Sequence, residues 1–279
     1  MGIRQGVMAA MVVGMGWGMA WAQVFHAEDF ESGRSEWTAN GQTIIEPTGG
    51  NPGAFLYLPL GDFWGMTLRN EAPGSAVTGD LTRHGGAFTV RVDMSVMTAR
   101  TFWWNPIPPE AYPLVLEFVD YGGGGARTPA SVYTVGRPIP AEGAGWERIE
   151  FVVPDPTSAT LPAGWGGTGA EDPFGDPMLP PDRTYRSVME NVDEVRITTI
   201  RPGWFYAASF WEAGYDNVEF RLMGTCRVDL NGDGVVDFND LLEFLNLYNA
   251  GDPVADFNGD GVIDFNDFLA FLNEFNAGC

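Results

Sequence analysis

Phe88-Thr89-Val90-Arg91-Val92-Asp93-Met94-Ser95-Val96 decides the fold. Apolar side chains stand at every second position, with polar ones between them. A period of two puts one face of an extended strand in a core and the other in water. Working outward, the same pattern recurs. Leu114, Leu116 and Phe118 alternate with Val115, Glu117 and Val119. Ile149, Phe151 and Val153 alternate with Arg148 and Glu150, and Val218, Phe220 and Leu222 with Glu219 and Arg221. Shorter strand patterns lie near Ile44 and at residues 55–58, 66–68, 132–135 and 195–200. No part of residues 24–222 shows a sustained helical period. Alternating strands with connections rich in Gly and Pro predict a mainly β chain, built as two packed antiparallel sheets.

Two connections are long enough to carry function or mobility. Residues 100–113 hold Trp103, Trp104 and Tyr112, and residues 155–183 are rich in Pro and Gly. Flat aromatic faces stack on sugar rings. Trp103, Trp104 and Tyr112 are therefore candidate ligand-binding residues, with core packing and loop anchoring as the alternative. A second aromatic stretch contains Trp204, Phe205, Tyr206, Phe210 and Trp211.

The N-terminus reads as a secretory signal over residues 1–22. Arg4 supplies the positive start, residues 7–20 the short apolar core, and Ala20-Trp21-Ala22 a small-x-small cleavage site. The expectation is a secreted or cell-surface chain beginning at Gln23, with no membrane span once the signal is cleaved. Formal net charge is −22. A surface this negative argues against nucleic acid and anionic membranes as partners.

The end of the chain repeats itself. Residues 229–251 and 256–278 are 23-residue units offset by 27, with 17 identical positions. Each opens Asp-x-Asn-Gly-Asp-Gly-x-x-Asp-Phe-Asn-Asp. A twelve-residue loop of this kind surrounds a hard cation with oxygens from positions 1, 3, 5, 7, 9 and 12. The first set is Asp229, Asn231, Asp233, the carbonyl of Val235, Asp237 and Asp240. The second is Asp256, Asn258, Asp260, the carbonyl of Val262, Asp264 and Asp267. Two calcium ions are expected. Position 12 is Asp where the helix-loop-helix pattern has Glu, and no helix fits before the first loop. A helix follows each loop, through Leu241, Leu242, Phe244, Leu245, Leu247 and Tyr248 and through Phe268, Leu269, Phe271, Leu272 and Phe275. The predicted division is a signal (1–22), a β-sandwich (23–223) and a calcium module (224–279).

This duplicated loop-plus-helix resembles the dockerin module, in the planctomycete-type variant ending Asn276-Ala277-Gly278-Cys279. The resemblance implies a calcium-folded plug that docks on a cohesin-like or other extracellular scaffold protein. Loop positions 10 and 11 are Phe238-Asn239 and Phe265-Asn266, where dockerins often carry small hydroxyl residues. The identity of the docking partner therefore stays open. Cys226 and Cys279 are the two cysteines and flank the repeats. In a secreted chain they are expected to form a disulfide.

The larger part resembles the laminin B (domain IV) family. The stretches that carry this are Thr48-Gly49-Gly50-Asn51-Pro52-Gly53, Phe55-Leu56-Tyr57-Leu58, Gly79-Asp80-Leu81 before Gly85-Gly86, Leu116-Glu117-Phe118, Trp146 with Ile149 and Phe151, and Asp216-Asn217-Val218. The resemblance implies a jelly-roll-type antiparallel β-sandwich without catalysis. It also brings in a structural calcium between the first and last strands of such sandwiches, for which Glu28, Glu31 and Asp216 are the candidate ligands. Solvated strand-end acids are the other reading of those three.

Catalysis finds little support in the residues. His26 and His84 lie far apart with no nucleophile elbow. Glycoside hydrolysis needs only two carboxylates, and Glu117 and Glu150 sit mid-strand on polar faces. Three functions stay open: a non-catalytic surface or matrix protein displayed by its tail, a carbohydrate-binding module of a polysaccharide-degrading system, and a glycoside hydrolase.

Overall fold

A computed structural model describes residues 24–204, 206–223, 227–230 and 236–277. The signal segment, Cys226, Cys279, Asn231, Asp233, Val235 and Phe205 lie outside the described residues, so the disulfide and half of the ligands expected in the first calcium loop do too.

Fourteen strands are described: β1 (Val24–Glu28), β2 (Trp37–Ala39), β3 (Ile45–Gly50), β4 (Gly53–Phe63), β5 (Thr67–Asn70), β6 (Phe88–Thr101), β7 (Pro113–Asp120), β8 (Ala130–Pro138), β9 (Glu147–Val153), β10 (Trp165–Thr168), β11 (Ala170–Glu171), β12 (Pro177–Met178), β13 (Glu194–Thr198) and β14 (Ser209–Leu222). The first sheet runs β3-β4-β14-β6-β9, with β1 paired to the second half of β14. The second runs β10-β8-β7-β13-β5-β2, and every pairing is antiparallel. The sheets pack as a jelly-roll-type sandwich. β6 places Phe88, Val90, Val92, Met94 and Val96 inward, fully buried, as the alternation requires. They join Leu116 and Phe118 of β7, Val195 and Ile197 of β13, and Trp211, Tyr215 and Phe220 of β14 in one core. Burying each such side chain contributes about 1.5–3 kcal/mol before entropy is counted.

The long 155–183 connection is not one loop, which corrects the sequence reading. It holds β10 and the hairpin β11–β12. Gly166 and Gly167 erase any alternation in β10, and a Cβ at Gly166 would run into the Tyr133 ring. Among the described residues the sandwich also has one α-helix, α1 (Tyr185–Met189). Thr184 and Ser187 close a capping box at its start. Five residues are too few to show a helical period.

The C-terminal region is helical, with α2 (Phe238–Ala250) and α3 (Phe265–Ala277). Asp237 caps α2 and Gly251 ends it in the left-handed conformation. It has its own core of Val228, Phe244, Ala255, Phe257 and Phe271, separate from that of the sandwich. Among the described residues, no helix is long and apolar enough to cross a membrane.

Candidate ligand cleft and calcium loops

The outward face of the second sheet carries a polar array in which Glu117, Glu194 and Thr198 are buried and Arg69 and Arg196 are partly exposed. Leu68, Leu116, Val195 and Ile197 point into the core. The intervening residues Thr67 and Arg69 (β5), Glu194, Arg196 and Thr198 (β13) and Glu117 (β7) therefore point out. Arg196 donates from Nε and Nη2 to the two oxygens of Glu194 at 2.8 and 2.9 Å, and from Nη1 to Glu117 at 3.3 Å. Glu117 accepts from Ser131 Oγ at 2.5 Å, and Ser131 pairs with Thr168 of β10 at 2.7 Å. The hydroxyls of Thr67 and Thr198 pair at 2.8 Å. Tyr121 donates its hydroxyl to Glu194.

Burial alone would raise the Glu194 carboxyl, but the bonds from Arg196 and Tyr121 and the nearby Arg69 charge outweigh it and hold the pKa below the ordinary value. Burial would lower the Arg196 guanidinium, but Glu194, Glu117 and Tyr121 outweigh it and raise its pKa above the ordinary value. Glu194, Arg196 and Glu117 thus form one paired charge network in the floor.

Above this floor lies a cleft of about 1110 Å³. One wall is Phe63, Trp64 and Gly65 with Ile200, Pro202 and Gly203; the other is Gly169, Ala170, Glu171, Gly175 and Pro177. Trp64 is 58% exposed at the rim. Beside it, Arg201 lies 4.8 Å over the Trp204 ring. The arrangement offers donors, acceptors and a flat apolar face, the means of holding a polyhydroxylated ligand.

Sequence reasoning did not find Trp64, Arg69 or Arg196. Their only signal was polar residues alternating with core residues in short strands, which also describes an ordinary solvated face. Glu117 was flagged and does line the cleft, but Glu150 is on the other sheet, paired with Arg91. The two carboxylates therefore cannot flank one bond. The histidines are likewise committed. His26 Nε2 accepts from Trp37 Nε1 at 2.9 Å, and His84 stacks on Phe25.

The three loop aromatics are divided by the structure. Trp103 is 80% exposed and Trp104 54%, the latter at φ 66° with its ring 5.2 Å from that of Phe210. Such a backbone is uncommon for a bulky residue and fixes the direction of the ring. Tyr112 does not belong with them. It is 9% exposed and packs on Tyr206 and Trp211, so it is a core residue.

The carboxylates of Glu28, Glu31 and Asp216 are each engaged by backbone N–H groups. Glu28 accepts from Phe30 N–H, Glu31 from Ala54 N–H, and Asp216 from the N–H groups of Asn51 and Asn217. Among the described residues, no group of three or more His, Cys, Asp or Glu side chains is arranged to hold a metal.

That statement includes the second loop of the tail, where backbone N–H groups occupy the carboxylates. Asp256 accepts from Gly259, Asp260 and Gly261, and Asp267 from Asn258 at 3.0 Å and Asp264 at 2.8 Å. The N–H bonds from Asp264 and Asn258, with the Asp256 carboxyl within hydrogen-bonding reach, hold Asp267 below its ordinary pKa. Position 1 and position 12 therefore face each other, and Gly261 turns the chain at φ 83°. All the donors are hard oxygens, so the residues fit a calcium ion in chemistry. Closing around one requires the carboxylates to exchange N–H partners for the metal. In the first loop the described part matches: Asp237 N–H donates to Asp240 at 2.8 Å, as Asp264 does to Asp267.

No protein-family model and no curated protein matches the chain, so the laminin B and dockerin resemblances rest on their motifs. Among solved structures, the family 22 carbohydrate binding module of Clostridium thermocellum Xyn10B is 14% identical, with a TM-score of 0.39 over 72% of this chain and 96% of that one. The N-terminal cellulose-binding domain of Cellulomonas fimi β-1,4-glucanase C is 16% identical, with a TM-score of 0.27 over 66% and 86%. The L4b domain of human laminin alpha-2 is 9% identical, with a TM-score of 0.30 over 65% and 100%. Likenesses at this level assign no ligand to the cleft.

Proposed function

We propose that the sandwich binds a polysaccharide in the cleft over its second sheet, and that the C-terminal module displays it, as a secreted protein, on a cohesin-like or other extracellular scaffold. One observation carries the first half. A groove floored by paired polar groups is edged by an exposed tryptophan, Trp64. Sugar hydroxyls match the mixed donors and acceptors, and a pyranose face matches an indole.

The tail, on this reading, folds around two calcium ions. Asp256, Asn258, Asp260, the Val262 carbonyl, Asp264 and Asp267 would hold one, and Asp229, Asn231, Asp233, the Val235 carbonyl, Asp237 and Asp240 the other. The facing carboxyls of Asp256 and Asp267 support it. A bound cation supplies positive charge to a region with 11 acidic residues and one Arg from Cys226 onward. A Cys226–Cys279 disulfide would tie the ends of the module together, and thiol titration of the secreted protein tests it.

A glycan array probed with the full chain, followed by titration of Trp64→Ala, tests the sandwich. Binding that weakens in the variant at unchanged Tm is expected. If no glycan binds, the sandwich is a displayed structural unit and only the docking half of the proposal remains. Pull-down of scaffold protein with and without chelator tests that half.

A further inference from the structure

The two walls of the cleft come together at one end. Its floor crosses the strands in sheet order, from Asn40 after β2, through Arg69 of β5, Arg196 of β13 and Glu117 of β7, to Thr168 of β10. Five inter-strand spacings make this run about 24 Å. At the β2 side the sheet ends, with no further strand beyond it. At the β10 side the chain turns at Gly169 into the hairpin β11–β12.

That hairpin meets the opposite wall. A Cβ at Gly203 would stand 2.8 Å from Pro177 Cδ, so the loop after β13 and the hairpin after β10 touch, backbone against ring. Gly203 has φ 80°, a conformation that a side-chain-bearing residue adopts only at a cost. These loops leave the sheet at opposite ends of its strands, because Thr198 lies opposite Val115 of β7 whereas Thr168 is reached through Ser131 and Val119. Their meeting therefore joins the two walls across the groove.

We infer that the cleft is blind and binds the terminal residues of a glycan chain, not an internal segment. The inference rests on the polysaccharide reading above. A linear polymer laid across the floor from the β2 side runs into the Pro177–Gly203 contact, so it fits only end first.

The floor also favours a neutral sugar. Arg196 is already paired with Glu194 and Glu117, and Arg69 lies 3.8 Å from both Glu71 and Glu194. An anionic ring would have to displace those carboxylates.

The test is calorimetric titration of the full chain with xylohexaose, cellohexaose and laminarihexaose, and with the soluble polymers of the same linkages. The expected result is that a hexasaccharide binds, and that its polymer binds one protein per chain whatever its length. Binding in proportion to polymer mass, with many proteins per chain, overturns end recognition and leaves the polysaccharide reading intact. Failure of every hexasaccharide and polymer to bind overturns that reading, and this inference with it.

A second variant checks the barrier directly. Residues 170–178, which include Pro177, are replaced by a four-residue Gly-Ser linker, so that nothing remains against Gly203. With the melting transition retained, the number of proteins bound per polymer chain rises several-fold. An unchanged number shows that the hairpin does not close the groove.

Discussion

The rings of Phe244 and Phe271 stack at 4.2 Å with 14° between their planes, and the two residues occupy the same position in successive repeats. Both are fully buried, and Phe257 packs edge-on against each, at 5.4 and 5.2 Å. Asp240 and Asp267, also one repeat apart, are both fully buried. The duplication in sequence is thus a duplication in packing, with each repeat using the other as its hydrophobic partner.

Phe244→Ala or Phe271→Ala is therefore expected to unfold the module alone. Removing a buried Phe costs about 3–5 kcal/mol, comparable to the whole stability of so small a unit. Far-UV circular dichroism should lose the α2 and α3 signal while the sandwich melts at its usual temperature. Retention of both helices in either variant would contradict the shared core.

Calcium removal should act in the same place. Binding to the native form alone adds about 2.7 kcal/mol per site at a hundred times the dissociation constant. Excess chelator is expected to melt the helices, and titration should recover two ions per chain. A tail that keeps its melting temperature in chelator, or takes up fewer than two ions, would count against the calcium assignment.

Trp64→Ala should weaken binding of whichever glycan the array identifies. Loss of an aromatic stack of about 1.4 kcal/mol corresponds to tenfold in affinity. Titration of the variant, with the melting temperature as control, reads this directly. Unchanged affinity would move the ligand away from this rim.

Trp103 and Tyr112 should respond in opposite ways. Trp103→Ala removes a side chain that is 80% exposed, so stability is expected to stay within about 0.5 kcal/mol. Tyr112→Ala empties a space against Tyr206 and Trp211 and should cost several kcal/mol, on the order of 3. Urea unfolding of the two variants separates them.

Acid should destabilise the sandwich through its paired carboxylates. In Glu194, Asp93 and Asp120, burial pushes the carboxyl up, but hydrogen bonds from arginine and other donors outweigh it and hold each folded-state pKa below its ordinary value. Their stabilisation is fully present above the ordinary values of 4.5 and 3.8 and is lost as pH falls through the depressed ones. Asp216 runs the other way. Burial, with Asp93 and Glu31 nearby, raises its pKa, so its contribution is largest at low pH and declines as pH rises through the raised value. Melting temperature measured from neutral pH downward should fall steeply only below the ordinary carboxylate range. Arg196→Met should instead lower stability at neutral pH, by about 3–5 kcal/mol, because Glu194 is left buried without that partner, and should make the fall on acidification shallower, because protonating Glu194 then no longer breaks the pair.

The sequence by itself determined the sandwich and the repeat. Phe88–Val96, Leu114–Val119 and Ile149–Val153 announce their strands because burial on one face imposes a period of two, and that period is a local property of the chain. The repeat of Asp229–Gly251 in Asp256–Gly278 is visible for the same reason, as is the helix after each loop. The cleft was not legible. Arg196 and Glu117 are 79 residues apart in sequence and meet only because β13 pairs with β7. Pro177 and Gly203 meet only because the loops that follow β10 and β13 converge over one face. Short strands such as β10, whose two central residues are glycines, leave no alternation to read. Tyr112 shares a sequence stretch with Trp103, yet one is core and the other surface. Which side of a connection faces the interior is set by what packs on it from elsewhere in the chain, and that information is non-local.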